Sequence, residues 1–394
     1  MRAETDEKPR KLRYGYTTGA CATACSLAAA QQLFNSDLIQ TRVEITLPKG
    51  QQVYFELEYC HLNNDALAPF SDQISKQDKH NSISLGNHPN HSAIAATRKD
   101  AGDDPDVTHR AIIFVEVKLH TKPEILFRAG EGVGTITRKG LPIAVGEAAI
   151  NPVPRKMIQQ HLQQLAQKYH YKAGFRVIIG VENGVELAKK TLNARLGILG
   201  GLSILGTTGI VRPFSCSAYI ASIHRAIDVA KANQITHIAA CTGSGSEQMI
   251  QAHYQLSEMA LIEMGDFVGA VLKYLKRVPI AKLSIVGGFG KISKLAAGHL
   301  DLHSRKSRID FQFLADIATE SLENTQQSGK IQAYILACNT SIQALKFCQT
   351  EQIDLATRIC ERALVTAQRY VPIGIQIEVF VIDRSNQLVG RASM

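Results

Sequence analysis

The chain has 394 residues, of which 45% are hydrophobic, and this is enough for two or three domains with buried cores. Its longest uncharged apolar run, residues 196–211, falls short of the about 18 residues that a transmembrane helix needs, so a membrane-spanning protein is excluded. Lysine and arginine total 44 against 35 aspartates and glutamates, which gives a formal net charge of +9.

The amino-terminal part predicts an α+β domain with a mixed or antiparallel sheet. An alanine-rich helix is expected over 20–34, and a hydroxyl of the preceding Thr-Thr-Gly could cap its first turn. Residues 42–47 and 51–59 alternate apolar and polar positions around a Pro-Lys-Gly turn, which predicts a β-hairpin. Further strand patterns occur at 111–119 and 125–127.

Residues 63–93 interrupt this domain with a polar stretch of little periodicity, which we interpret as a surface insertion or partly disordered loop. Its histidines, His80, His88 and His91, have neither neighbouring cysteines nor a helical spacing. No bound metal is therefore expected.

Four carboxylates crowd into residues 99–106, in a loop that Pro105 keeps from being helical. Crowded carboxylates repel one another, so one of them could hold its proton near neutral pH and act in acid–base catalysis. The structural alternative is a solvated acidic turn.

From residue 154 the pattern changes to a helix at 154–169 and then to short apolar strands, loops of small residues and helices. This alternation predicts a Rossmann-like α/β domain with a mostly parallel sheet, and we divide the chain into domains 1–152 and 153–394. Ligands bind at the carboxyl ends of such strands, so the five strand-to-helix loops are expected to converge on one cleft. The predicted strands are 175–180, 203–205, 237–240, 283–286 and 333–337, with one or two edge strands over 375–381.

The tripeptide Thr-Thr-Gly occurs at 17–19 and again at 207–209, each time before a segment that could begin a helix. Two hydroxyls beside exposed N–H groups can hold a carboxylate or another anion. Ordinary helix capping is the alternative.

Most of the net positive charge is local, because nine basic residues and one acidic residue, Asp301, lie between Lys273 and Arg308. Such a patch is either a solvated face or a site for an anionic partner. Nucleic acid is not supported as that partner, because the chain has no tryptophan and few aromatic residues lie among these charges.

The first 13 residues are highly charged and lack the apolar centre of a secretory signal. The eight cysteines are scattered without a Cys-x-x-Cys pair, which favours reduced thiols. We therefore expect a cytoplasmic protein.

Six longer stretches carry a family resemblance. The first two are 13–22, which starts Arg-Tyr-Gly-Tyr-Thr-Thr-Gly, and 99–109, which starts Lys-Asp-Ala-Gly-Asp-Asp-Pro-Asp. The others are 146–155, 193–198, 200–211 and 290–298. In these stretches the chain closely resembles the CbiD family, the cobalt-precorrin-5B carbon-1 methyltransferases of anaerobic cobalamin synthesis.

The resemblance implies transfer of a methyl group from S-adenosylmethionine to ring carbon C-1 of cobalt-precorrin-5B, giving cobalt-precorrin-6A. This anionic cobalt-corrinoid carries many carboxylates, which would match basic residues and the first Thr-Thr-Gly. Asp103 and Asp104 are our candidates for a base that makes the acceptor carbon electron-rich. The expected substrate-binding residues are Thr17, Thr18, Arg138, Lys139, Arg155, Lys291, Lys294 and His303. The expected donor-binding residues are Gly206, Thr207, Thr208, Gly209, Gly243 and Gly245, with the donor carboxylate at a helix amino terminus near Thr207 or Thr208.

Two other functions remain open on the sequence alone. One is a non-catalytic tetrapyrrole carrier, and the other is a nicotinamide-dependent corrinoid reductase, suggested by the degenerate motif Gly288-x-Gly290-x-x-Ser293. Neither nucleic acid nor a membrane is expected as a partner, and a homo-oligomer remains open.

Overall fold

The computed structural model describes residues 12–63 and 92–394, and it divides into two compact units. Unit 1 comprises Met1–Arg138 and Pro142–Ser215, and unit 2 comprises Lys139–Leu141 and Cys216–Met394. The division thus lies at 215/216 instead of the expected 152/153. Most of the insertion, with His80, His88 and His91, and most of the charged amino-terminal tail lie outside the described residues.

Unit 1 combines short and long strands with two long helices and one short helix. The strands are β1 (Gly15–Tyr16), β2 (Arg42–Thr46), β3 (Gln52–Glu56), β4 (Tyr59–Asn63), β5 (Ser92–Arg98), β6 (Ile112–His120), β7 (Ile125–Ala129), β8 (Thr135–Ile136), β9 (Gly174–Val181), β10 (Ile198–Leu199) and β11 (Ile210–Val211). The helices are α1 (Thr18–Phe34), α2 (Pro152–Lys168) and α3 (Gly184–Ala188).

The main sheet of unit 1 has the order β4-β5-β6-β9-β7, in which only the β7–β9 pairing is parallel. It is therefore mixed, as the sequence predicted. Helix α1 packs on β5 and β6 and against α2, and its alanine, cysteine and serine side chains are small enough for close approach. Because β9 lies between β6 and β7, residues 174–181 belong to the first unit, which explains why the expected boundary is wrong.

Three two-stranded pairings complete unit 1. The predicted hairpin is β2–β3, and its inward residues Val43, Ile45, Val53 and Phe55 join the same core as α1. Strand β1 pairs with β11, and β8 pairs with β10, both antiparallel.

Unit 2 alternates helices and strands. The helices are α4 (Cys216–Ala232), α5 (Ser244–Tyr254), α6 (Val268–Tyr274), α7 (Phe289–Ala296), α8 (Phe311–Thr319), α9 (Thr325–Leu336), α10 (Ser341–Thr350) and α11 (Leu355–Gln368). The strands are β12 (His237–Cys241), β13 (Leu261–Glu263), β14 (Lys282–Gly288), β15 (Gln376–Ile382) and β16 (Leu388–Ser393).

The sheet of unit 2 has the order β13-β12-β14-β15-β16, parallel except for the antiparallel edge strand β16. Alternate strand residues face opposite sides: Ala239 and Cys241 pack with Ile250 of α5, while Ile238 and Ala240 join the larger core under the other helices. From β12 the chain moves to β13 on one side and then crosses to β14 on the other. A crevice forms at such a topological switch point, outside the carboxyl ends of β12 and β14.

Three of the five strands predicted for this sheet do not belong to it. Residues 333–337 end α9, where Ile331 and Ile335 are buried and Tyr334 is exposed, so the apolar run follows a helical period. Residues 203–205 lie in unit 1 and form only an isolated bridge, and 175–180 correspond to β9 of unit 1. No helix within 12–63 and 92–394 is both long and apolar enough to span a bilayer.

Candidate functional site

Three sequence motifs lie side by side in unit 1, and we call them the motif cluster: Arg13–Gly19, Lys99–His109 and Gly206–Phe214. The Tyr16 N–H donates to the Asp100 carbonyl (2.7 Å), and β1 pairs with β11. The contact is backbone against backbone, because a Cβ at Gly15 would lie 2.1 Å from the Ala101 carbonyl carbon. This close approach of the two backbones explains why each of the two motifs has a glycine here, Gly15 in the first and Gly102 in the second.

The acidic loop of the motif cluster is anchored by a buried ion pair. Lys99 is 1% exposed, and its Nζ donates to Asp106 Oδ2 at 2.7 Å. The other oxygen, Asp106 Oδ1, accepts the Thr108 N–H (2.7 Å) and the Thr108 hydroxyl (2.6 Å). Burial alone would raise the pKa of Asp106, but the Lys99 ammonium and the Thr108 donors outweigh it and lower the pKa.

A second ion pair, between Arg13 and Asp100, joins the first two motifs of the cluster. Arg13 donates through both terminal nitrogens to Asp100, at 2.9 Å for the Nη2–Oδ1 pair. These hydrogen bonds outweigh partial burial and lower the pKa of Asp100 to about 2. Asp100 and Asp106 are thus committed to shaping the loop.

The remaining carboxylates of this loop, Asp103 and Asp104, are those that the sequence singled out. Asp103 Oδ2 accepts the Arg13 N–H (2.7 Å), and Asp104 Oδ1 accepts the Phe214 N–H (2.9 Å). Asp103 is exposed and Asp104 is half-buried. Each of these two hydrogen bonds engages one oxygen of the carboxylate and leaves the second oxygen outside it.

The two Thr-Thr-Gly copies are neighbours, but their hydroxyls are used internally. Thr17 Oγ1 accepts the Ala20 N–H at 3.2 Å and caps α1, which is the structural alternative that the sequence left open. Thr18 Oγ1 accepts the Leu205 N–H at 2.9 Å, and both threonines are buried. These contacts give Thr17 and Thr18 a structural role.

The second copy does not begin a helix. Residues 207–209 lead into strand β11, and Thr208 Oγ1 bonds with the backbone of Ile210. Gly206 has φ +138° and is pressed against Thr17, where a Cβ would lie 2.4 Å from Thr17 Oγ1. The expected helix amino terminus near Thr207, Thr208 and Gly209 is therefore wrong, because the segment is drawn into the β1–β11 pairing.

Three basic residues that the sequence predicted to bind substrate, Arg138, Lys139 and Arg155, have separate surroundings. Arg155 donates to the Ile150 and Ala148 carbonyls and pairs with Glu147 at 2.7 Å, so it organises its own loop. The stem of Arg138 packs on Gly197 in unit 1. Lys139 belongs to unit 2, where its carbonyl accepts the Asn233 side-chain amide.

In unit 2 the loops after β12, β13 and β14 surround the switch point, and we call this the switch-point crevice: residues 242–246, 263–267 and 287–291. The Gly243 N–H donates to Ser246 Oγ (3.0 Å), and the Ser246 hydroxyl donates to the Gly243 carbonyl (2.6 Å), which fixes the start of α5. A Cβ at Gly243 or Gly288 would meet no atom of the described residues within 4 Å. Open space therefore lies above both loops, whereas Gly245 packs against Asn386.

The crevice includes an acidic residue that sequence reasoning missed. Glu263 ends β13 and is in register with Cys241, the last residue of β12. Burial, together with the nearby Glu263, Asp266 and Glu247 carboxylates, raises the pKa of Tyr219 to about 12. The available signal was spacing, because Glu263 stands 20 positions after Gly243, as an acidic residue does after a glycine-rich nucleotide loop.

The basic stretch is partly neutralised by the fold. Lys291 Nζ lies 3.2 Å from the Thr242 carbonyl oxygen and 3.2 Å from Asp266 Oδ1, and the latter approach is an ion pair without hydrogen-bond alignment. Lys294 is buried and donates to the Leu302 carbonyl (2.8 Å). His303 is exposed and accepts the Arg305 N–H through Nδ1.

Three other cations of the stretch are exposed near the crevice: Arg305, Lys306 and Arg308. Their segment returns to the carboxyl edge of the sheet, because the Leu302 N–H donates to the Asp266 carbonyl at 2.9 Å. The expected convergence of five loops on one cleft of this sheet is wrong. The Gly243 and Gly287 loops share this edge, whereas the Gly184 and Gly206 loops belong to unit 1.

Comparison with known proteins gives matches along most of the chain. The family model described as CbiD matches residues 5–82 and 73–213, and the one described as CbiD, C-terminal domain matches residues 301–393. The chain is 55% identical over 392 residues to the cobalt-precorrin-5B C(1)-methyltransferases of Burkholderia lata and Paraburkholderia phytofirmans, covering 100% of each chain. It is also similar to the crystal structure of the cobalamin biosynthesis protein of Archaeoglobus fulgidus, at 26% identity and a TM-score of 0.38, covering 75% of this chain and 84% of that one.

Proposed function

Because this chain belongs to the CbiD family, we propose that it methylates ring carbon C-1 of cobalt-precorrin-5B with S-adenosylmethionine as the methyl donor. The observation that carries this proposal is the 55% identity, over full length, to relatives named for that reaction. No comparison favours a tetrapyrrole carrier or a nicotinamide-dependent reductase.

The switch-point crevice supports donor binding in unit 2. Parallel sheets bind ligands at this edge, and the space above Gly243 and Gly288 is open to one. When bound, S-adenosylmethionine supplies an activated methyl group on a sulfonium. The glycine loops would let the donor approach the backbone closely, and the fixed start of α5 would hold it in one orientation.

The motif cluster supports a role in proton transfer. A carbon attacks a methyl group more readily when the macrocycle has lost a proton, and a carboxylate with one oxygen held by a backbone N–H is a suitable acceptor. We assign this role to Asp103 or Asp104. Lys99 and Arg13, through Asp106 and Asp100, keep the loop in place.

The carboxylates of the corrinoid need cations that are not already paired. Lys291 and Lys294 are engaged within unit 2, so we assign substrate carboxylates instead to Arg305, Lys306 and Arg308, with His303 beside them. An exposed guanidinium or ammonium can form charge-assisted hydrogen bonds without first breaking an internal one.

The test is incubation of the full-length protein with cobalt-precorrin-5B and S-adenosylmethionine, with product mass as the readout. We expect the mass of one added methyl group and the appearance of S-adenosylhomocysteine. A protein that binds the corrinoid without producing either would be a carrier. A change that requires NADPH would indicate a reductase.

A cytoplasmic location is part of the proposal. It is supported by the sequence, in which the eight cysteines are scattered without a Cys-x-x-Cys pair.

A further inference from the structure

We propose that Glu263 determines donor specificity by accepting the ribose hydroxyls of an adenosyl group bound in the switch-point crevice. This inference rests on the proposed function and names a residue that recognises the methyl donor.

The first argument is position. Glu263 is the last residue of β13 and lies level with Cys241, where β12 gives way to the Gly243 loop. The Met264 and Gly265 N–H groups both point to the Cys241 carbonyl, at 3.0 and 3.3 Å, so the two strand ends are locked together. A ligand seated above Gly243 therefore has an exposed carboxylate on the neighbouring strand end.

The second argument is orientation. Tyr219 is half-buried on α4, and its hydroxyl lies beside Gly265 just after β13, where the Glu263 carboxylate helps to raise the pKa of this hydroxyl. A hydroxyl placed beside an otherwise exposed glutamate can orient its carboxylate. A carboxylate held in this way can accept both hydroxyls of a ribose diol, which is a charge-assisted pair of hydrogen bonds.

The third argument is charge. The loop after β13 brings two carboxylates, Glu263 and Asp266, to the crevice, and Lys291 at the same edge already pairs with Asp266. These carboxylates would attract a sulfonium cation. The charge of the crevice is therefore compatible with an adenosyl sulfonium.

The experiment is calorimetric binding of S-adenosylhomocysteine, and of its analogue without the 2′ and 3′ hydroxyls, to the full-length protein. Glu263→Gln keeps the size of the side chain and an acceptor for Tyr219. We expect it to weaken S-adenosylhomocysteine about tenfold or more, and to leave the analogue within about twofold of wild type. Glu258→Gln is the matched control, because it removes the same charge from an exposed residue three positions before β13, and both affinities should stay unchanged.

Tyr219→Phe provides a second, milder variant, which removes only the orienting hydroxyl and should weaken S-adenosylhomocysteine several-fold. Unchanged melting temperatures of the free variants show that each is folded. Wild-type affinity in Glu263→Gln, or an equal loss for both ligands, would overturn the assignment while the proposed function stands. If the wild-type protein binds no S-adenosylhomocysteine, the donor assignment in the proposed function fails as well.

Discussion

Lys99 shows how one buried charge can organise a loop. It is among the largest fully buried side chains, and its ammonium is balanced by Asp106 seven positions later. Removing one partner of such a pair leaves the other charge uncompensated, which costs more than the pair itself contributes. Lys99 therefore acts as a positioning residue for the carboxylates between the two partners.

Replacing Lys99 with Met should lower the free energy of unfolding by about 3 kcal/mol at pH 7, because Met fills the space and leaves Asp106 without its cation. Urea denaturation of the purified variant measures this. Adding Asp106→Asn should recover part of the loss, because the remaining buried charge is then gone. Equal stability of wild type and Lys99→Met would show that the pair contributes nothing.

Asp103→Asn and Asp104→Asn separate catalysis from loop structure. An asparagine oxygen can still accept the Arg13 or Phe214 N–H, so the melting temperature should change little. If one of these carboxylates is the base, its substitution should lower turnover about a hundredfold with little change in substrate affinity. Near wild-type turnover in both variants would leave positioning alone to explain the reaction.

At the scale of elements, the two edges of the unit 2 sheet are chemically different. The carboxyl edge forms the crevice, whereas nearer the amino ends of the strands lies a buried network around Glu378 of β15. Glu378 is 5% exposed, accepts from Tyr254 (2.7 Å), Ser284 (3.1 Å) and Arg391 (2.8 Å), and forms an ion pair with Lys282 (3.1 Å). This network ties α5, β14 and β16 to β15 and leaves the other edge free for ligand.

The Glu378 network predicts a pH dependence of stability. Burial alone would raise the pKa of Glu378, but the bonds from Tyr254, Arg391 and Lys282 outweigh it and lower the pKa to about 2. A lowered folded-state pKa means that the stabilisation is complete above the unfolded value of about 4.3 and is lost as the pH falls toward 2.

Glu378→Gln should therefore reduce the free energy of unfolding by about 3 kcal/mol at pH 7, because two cations lose their counter-charge. The difference from wild type should shrink steadily between pH 5 and pH 2. Urea titrations at several pH values measure it. If the difference in free energy of unfolding stays constant over this pH range, the stabilisation by Glu378 is not ionic in origin.

At the scale of the whole molecule, the net charge of +9 is distributed unevenly. Lys282 and Lys291 form ion pairs with acidic residues, and Lys294 donates to a backbone carbonyl. The basic stretch is therefore less charged at its surface than its composition indicates. The exposed cations near the crevice, Arg305, Lys306 and Arg308, are few enough to be replaced together.

The triple variant Arg305→Gln, Lys306→Gln and Arg308→Gln should raise the Michaelis constant for the corrinoid at least several-fold, with a larger effect at low salt. Steady-state kinetics at two ionic strengths give the comparison. Exposed lysines of unit 1, replaced together as Lys49→Gln, Lys122→Gln and Lys172→Gln, remove the same charge and should leave the constant unchanged. Equal effects of both triple variants would indicate only long-range attraction.

Elements whose signals are local could be predicted from the amino-acid sequence. Helix α1 with its Thr17 cap, the β2–β3 hairpin and strands β12 and β14 follow from periodicity, turn residues and caps that lie within a few positions of one another. The family could also be recognised from the sequence, because its motifs are continuous stretches of chain. The acidic loop was recognised as a feature for the same reason.

Only the tertiary structure decided which groups meet, because their partners are remote along the chain. Thr18 bonds to Leu205, 187 positions away, and this contact makes the second Thr-Thr-Gly part of a strand pairing instead of a helix start. Likewise β9 joins unit 1 because it pairs with β6 and β7, which no local pattern encodes. The approach of Glu263 to the Gly243 loop and the neutralisation of Lys291 depend on strand register, which is set by the packing of the whole sheet.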